Sequence, residues 1–155
     1  MVNEESPQVL LVTNYGEEGL ISDVAEILKS EGHKFDFAIG RDDALEKINR
    51  TQYRAVYIGN SDLNLDSGEG RESLRMPEKQ DFQRVGIGQN RLAIRIASMF
   101  ELTRKAREKG LGVVVVDQGD FSIVTENIRR LGAIPIPLLT TDAYDKYQAI
   151  AQYLR

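Results

Sequence analysis

Tyr53-Arg54-Ala55-Val56-Tyr57-Ile58-Gly59-Asn60-Ser61-Asp62 is the stretch whose reading decides the fold. It is short, rich in β-branched and aromatic residues, and followed at once by turn formers. That pattern predicts a buried strand, not a buried helix, ending in a polar loop. In an open parallel α/β sheet, ligands and chemistry collect just past the carboxyl ends of the strands. Gly59 to Asp62 is therefore where this strand would present its working residues.

Toward the N-terminus, Phe35 to Ile39 reads as a second strand. Gly40-Arg41-Asp42-Asp43 follows, with acids suited to the positive end of a helix, and Ala44, Leu45 and Ile48 give that helix an inner face. Val9-Leu10-Leu11-Val12 is a continuous apolar run behind Pro7, as expected of a strand buried on both faces. Thr13 to Gly19 is a loop. Leu20, Val24, Ile27 and Leu28 then recur at helical spacing and are expected to face inward, with Gly32 as the stop.

Toward the C-terminus, about 61–88 has little periodicity and is dominated by Gly, Ser and charged residues. A structureless connection of that length in a compact domain points to function or disorder, and a flexible insertion is expected. Gln89 to Lys109 is the longest helical pattern, with Leu92, Ile96, Met99 and Phe100 on one face and Ile94 partly off it. Gly112 to Val116 is a strand ending at Asp117, and Ile123, Val124, Ile128 and Leu131 predict a helix closed by Gly132. Ile134 to Leu139 is a fifth strand whose Pro135 and Pro137 cannot donate to a ladder, so it belongs at the sheet edge. Asp142 caps a last helix, with Tyr144, Tyr147, Ile150, Ala151 and Leu154 inward. Strands alternating with helices imply a parallel sheet covered on both faces.

A chain of 155 residues is a single domain, 1–155, large enough to bury a core without staples. The absence of cysteine rules out disulfides, thiol nucleophiles and Cys-ligated zinc. A net charge of −4 with mixed signs argues against a nucleic-acid surface. No apolar run approaches the roughly 20 residues that span a bilayer, and Met1 to Gln8 is too polar for a signal peptide. A cytoplasmic location is expected. The helical pattern runs to Arg155 with no tail, so the chain is expected to be cut from a longer protein.

Three places carry a family resemblance. Ala38 to Leu45 resembles the approach to the second helix in response-regulator receiver domains. Tyr53 to Ile58 resembles their central strand, and Leu131-Gly132-Ala133 resembles their link between fourth helix and fifth strand. The likeness covers nearly the whole chain except the expected insertion. It implies a flavodoxin-like α/β fold, a doubly wound five-stranded parallel sheet of order 2-1-3-4-5 with helices on both faces. Receiver chemistry needs an acidic pair after the first strand for magnesium, an acceptor aspartate after the third, a Ser/Thr after the fourth and a lysine after the fifth. Here those places read Thr13-Asn14, Gly59-Asn60, Asp117-Gln118 and Leu139-Thr140. A neutral pair and a glycine do not hold hard Mg²⁺ or accept a phosphoryl group. The resemblance therefore implies a degenerate, non-phosphorylated receiver, with no cofactor and no enzymatic activity. Ser73-Leu74-Arg75-Met76-Pro77 echoes the family's D-x-x-M-P with Ser73 in the aspartate's place, which is again not acidic.

Other constellations carry weaker signals. Asp62-x-Asn64-x-Asp66-x-Gly68 places oxygen ligands at alternate positions as calcium loops do, but its glycine is one place late. A solvated acidic loop is the competing reading. Glu17 and Glu18 could join such a site, or simply be first-turn acids of a helix. Gly86-Ile87-Gly88-Gln89-Asn90-Arg91 could cradle an anion at a helix N-terminus, although it does not follow a strand directly. His33 reads as a surface loop residue. Arg104, Lys105, Arg107 and Lys109 suit the negative end of a helix without any nucleic acid.

The function expected is signalling by protein–protein contact through the fourth helix, fifth strand and fifth helix. Its partner would be a fused output domain, a separate protein or a second copy, with no membrane and no direct nucleic acid contact. The alternative is a flavodoxin-like domain that binds a small ligand, anion or metal. Its mouth would be built from Thr13, Asn14, Gly59, Asn60, Asp117 and the Gly86–Gly88 loop.

Overall fold

Apolar runs too short for helices become the strands of one sheet. The structure, a computed structural model, describes residues 6–63, 91–119 and 122–155. Its strands are β1 (Val9–Thr13), β2 (Phe35–Ile39), β3 (Ala55–Ile58), β4 (Gly112–Asp117) and β5 (Ile134–Pro137). All pair in parallel, in the order β2-β1-β3-β4-β5, as the resemblance implied. The helices are α1 (Gly19–Ser30), α2 (Gly40–Arg50), α3 (Arg91–Glu108), α4 (Ser122–Arg130) and α5 (Ala143–Ala151). The expected insertion lies outside the described residues except for Ser61, Asp62 and Leu63, which are buried.

Strand alternation divides the core in two. Leu10, Val12, Val56, Ile58, Val113 and Val115 face α2, α3 and α4, where Ile48, Ile96, Met99, Leu102 and Ile128 meet them. Val9, Leu11, Ala55, Tyr57, Val114 and Val116 face α1 and α5, where Ile21, Val24, Leu28 and Ile150 meet them. Each strand residue thus has a helix above or below it, which is why the central strands read as unbroken apolar runs.

Helix phase differs from expectation at three places. Leu20 is 41% exposed, and Ile21 takes its place, so the inner face of α1 is Ile21, Val24, Ala25 and Leu28 at i, i+3, i+4, i+7. Ile123 and Tyr144 were expected inward but stand out at 47% and 54% exposure, leaving Val124 with Ile128 and Tyr147 with Ile150 inside. At α1 the neighbouring residue satisfied the same periodicity and packing chose between them, whereas in α4 and α5 the inner face is narrower than the apolar pattern and Ile123 and Tyr144 fall outside it. Ile94, read as partly off the inner face of α3, is buried with Ile96, Met99 and Phe100, while the side chain of Leu92 lies outside the described residues. Asp142 caps α5 as expected, accepting the Asp145 N–H at 2.8 Å.

Both sheet edges are blunted. The Leu138 N–H donates to the Asp117 carbonyl at 3.0 Å, so the alternate positions, Pro135 and Pro137, turn their nitrogens outward. That edge offers no backbone donor at either position to an added strand. On the opposite edge, Lys47 Nζ donates to the Phe37 carbonyl at 2.5 Å and covers one of the free acceptors of β2.

Candidate functional site

The register aligns the strand ends. Val12 pairs with Ile58, and Ile58 with Val115, so the residues just beyond β1, β3 and β4 open onto one mouth. Gly59 is required there. Its N–H donates to the Val12 carbonyl at 2.8 Å, and a Cβ at this position would stand 2.6 Å from Ile21 Cγ2. Only a residue without a side chain lets the chain turn this close to α1.

Polar side chains fill the mouth and satisfy one another. Thr13, Asn14, Asn60, Ser61 and Asp62 are all buried. The Thr13 hydroxyl donates to the Glu17 carbonyl at 3.0 Å, closing the β1–α1 turn. Asn14 Nδ2 donates to Glu17 Oε2 at 3.0 Å and to the Asp62 carbonyl at 3.1 Å, with Asp62 Oδ1 at 3.4 Å. Asn60 Nδ2 also donates to Glu17 Oε2, at 3.2 Å, and Asn60 Oδ1 accepts Gln118 Nε2 at 2.6 Å. The Gln118 N–H reaches the Ser61 hydroxyl at 3.4 Å. Arg95, from the first turns of α3, places Nη2 2.8 Å from Asp62 Oδ1 and 4.0 Å from Glu17 Oε1. Its backbone carbonyl accepts the Leu63 N–H at 2.9 Å. These bonds tie β1, β3, β4 and α3 together at one end of the sheet.

Of the residues expected at the site, Thr13, Asn14, Gly59 and Asn60 are brought together. Asp117 lies beside them, but its carboxylate is engaged elsewhere. One oxygen accepts the Gly119 N–H at 3.0 Å and the other accepts the Thr125 hydroxyl, which holds the β4–α4 loop. The sequence reading missed Arg95, and it named Gln118 only in the place of the family's Ser/Thr, not among the residues of the mouth. It weighed Glu17 only as a helix acid or calcium ligand. A signal for Arg95 was available: it is the single charge in the otherwise uncharged run Leu92 to Phe100. Glu17 precedes the first residue of α1 and so is free to turn inward.

The calcium-loop reading meets this geometry only at Asp62, which pairs with Arg95; Asn64, Asp66 and the Gly86–Gly88 loop lie outside the described residues. No group of three or more His, Cys, Asp or Glu that could hold a metal occurs among the described residues. The magnesium of receiver chemistry does not fit the residues present. A guanidinium already stands on the Asp62 carboxylate, and the Asn14 amide turns its N–H groups toward both acids. A hard cation needs oxygens turned toward it.

Two tyrosines outside the mouth are electrostatically unusual. Burial raises the Tyr53 hydroxyl pKa, helped by its 2.7 Å hydrogen bond to Asp36. Burial also raises that of Tyr57, with a smaller contribution from the Asp23 charge. The Tyr57 hydroxyl meets no hydrogen-bond partner among the described residues. His33, expected on a surface loop, is half-buried, with Nε2 3.2 Å from the Tyr147 hydroxyl.

A doubly wound sheet in this order, with its polar groups past the strand ends, defines the flavodoxin-like class. Within that class the chain has the fold of response-regulator receiver domains. It superposes on a CheY-like receiver domain protein from Methanospirillum hungatei JF-1 with a TM-score of 0.64 at 14% identity, covering 96% of this chain and 94% of that one. A two-component response regulator from Clostridium difficile gives 0.62 at 13% identity, covering 96% of each chain. NtrX from Brucella abortus gives 0.58 at 19% identity, and there the match covers 96% of this chain but 26% of the other. No protein-family model matches the chain, and no curated protein matches it. Among the described residues, no helix is long and apolar enough to cross a membrane.

Proposed function

We propose that this is a receiver-like signalling domain that works without phosphorylation, through protein contacts, in the cytoplasm. The observation that carries the reading is the content of the mouth. Where a phosphoryl acceptor and its metal would need clustered free carboxylates, the chain has Thr13, Asn14, Gly59 and Asn60, with Arg95 on Asp62 and Glu17 and with Asp117 bonded to Gly119 and Thr125. Beyond β5, where the family keeps a lysine, stand Leu139 and Thr140. The contact surface proposed is α4, β5 and α5, where Ile123, Leu139 and Tyr144 hold 47%, 90% and 54% of their surface in solvent. Its partner is a fused output domain, a separate protein or a second copy, and neither membrane nor nucleic acid is part of the reading. Incubation with acetyl phosphate and Mg²⁺, followed by intact-protein mass spectrometry, tests it. The mass should not change, and a stoichiometric phosphoryl adduct on an aspartate would overturn the reading.

One observation favours a second reading, a small-ligand domain. A cleft of about 350 Å³ opens between α4 and β5, lined by Asp117, Gln118, Thr125, Arg129, Ile136 and Leu138. Pockets of this size, mostly apolar with a few polar groups, are where small ligands bind. A thermal-shift screen with nucleotides, flavins, phosphate and divalent ions decides. A saturable shift abolished by Arg129→Ala would favour the ligand reading, and no shift would retain the first.

A further inference from the structure

Arg95 stands on a pair of acids in the mouth. The amide nitrogen of Asn14 reaches Glu17 Oε2 at 3.0 Å and Asp62 Oδ1 at 3.4 Å, so a single NH₂ group spans both carboxylates. The Asp62 side chain is 11% exposed and that of Glu17 33%. Two like charges this close and this poorly solvated need a positive partner, and neutral amides cannot supply one. The guanidinium of Arg95 lies 2.8 Å from one and 4.0 Å from the other, on a side chain itself 22% exposed. Its backbone is pinned as well, through the Leu63 N–H. The buried Nε finds no hydrogen-bond partner among the described residues, and Nη2 makes both ion pairs.

We infer that Arg95 is a tethered cation standing where a receiver domain would need a bound metal ion. It neutralises Glu17 and Asp62 from within the chain, and so fixes α3 against the β1–α1 loop and the end of β3. A diffusible cation binds and leaves, whereas one carried on a helix is always present. The mouth is therefore held in one arrangement with no metal and no phosphoryl group to set it. This inference rests on the mouth taking no phosphoryl group, and it names what takes the place of that chemistry.

Thermal unfolding of the wild type and of Arg95→Met, with and without millimolar MgCl₂ or CaCl₂ at constant ionic strength, tests it. The wild type should be indifferent to both ions. Arg95→Met should melt about 5–10 °C lower and recover much of that loss when either ion is added. The double variant Arg95→Met with Asp62→Asn should lose the recovery. If Arg95→Met does not fold under any condition, Arg95→Lys decides: a folded, ion-indifferent Arg95→Lys supports the tethered charge, and an unfolded one overturns it. A wild type stabilised by Mg²⁺ as much as the variant, or an Arg95→Met protein that neither loses stability nor responds to ions, would also overturn it. Acetyl phosphate separates the two failures. Phosphorylation of the wild type sinks the reading of the mouth, whereas an unphosphorylated wild type with an ion-indifferent variant sinks only the role of Arg95.

Discussion

The mouth at the carboxyl ends of β1 and β3 and the face formed by α4, β5 and α5 are opposite in construction. In the mouth, polar side chains are buried and bonded to one another across four elements. On the face, apolar side chains stand in solvent beside an open cleft, along an edge strand whose outward nitrogens belong to prolines. A region whose polar groups already have partners inside the chain offers little to a ligand. Exposed apolar side chains beside a cleft are what a partner surface would cover in the reading proposed above. Position past the strand ends makes the mouth the expected place for chemistry, yet its side chains bond to one another, and we read it as a structural joint. The α4–β5–α5 face is the surface we propose for recognition.

Substitutions should separate the two regions sharply. The largest effect is expected at Asp62→Leu, which removes the carboxylate under Arg95 and leaves that half-buried guanidinium without its 2.8 Å partner. A loss of about 3 kcal/mol in chemical denaturation is expected, toward the low end for a broken buried pair because Arg95 keeps some solvent. A loss below about 0.5 kcal/mol would mean that the mouth is not a joint.

Next comes Tyr57, whose buried hydroxyl finds no partner among the described residues. Tyr57→Phe removes a group that is desolvated without compensation, and should leave the protein as stable or more stable, by up to about 1 kcal/mol at pH 7. The same residue sets an alkaline limit. The unfolded chain ionises tyrosine near its ordinary pKa of 10.0, while the folded chain keeps the Tyr57 proton to higher pH because burial disfavours the phenolate. Above that value the folded state binds more protons than the unfolded one. Stability is therefore intact below about pH 10 and falls as pH rises further, by up to about 1.4 kcal/mol per pH unit. Denaturation midpoints from pH 8 to 11 should fall less steeply in Tyr57→Phe. An unchanged slope would assign the alkaline loss to Tyr53 or to other groups.

The smallest effect on stability is expected on the α4–β5–α5 face. Ile123→Asp, Leu139→Asp and Tyr144→Ser should each change stability by no more than about 0.5 kcal/mol, because these side chains are already in solvent. Association is where they should act. If the partner is a second copy, sedimentation should show the dimer weakened by these changes and untouched by exposed changes on α2 such as Glu46→Lys. Loss of folding in any of the three would show that the face is part of the core.

The sequence by itself determined the sheet and its coverings. Runs such as Val9 to Val12 and the four valines of β4 could be satisfied only by burial on both faces, and the prolines of β5 could stand only at an edge. It also determined which oxygens are missing from the mouth, since Thr13, Asn14 and Gly59 are absences that any fold would inherit. Tertiary structure decided what fills the space instead. Leu20 and Ile21 satisfy the same helical periodicity, and only docking of α1 on the sheet chose Ile21. Glu17 and Arg95 are far apart in the chain and individually ordinary, one a loop acid and the other a charge on a helix. Their meeting at Asp62 depends on where α3 lands against the end of β3, and long-range contacts of that kind leave no periodic trace in a sequence.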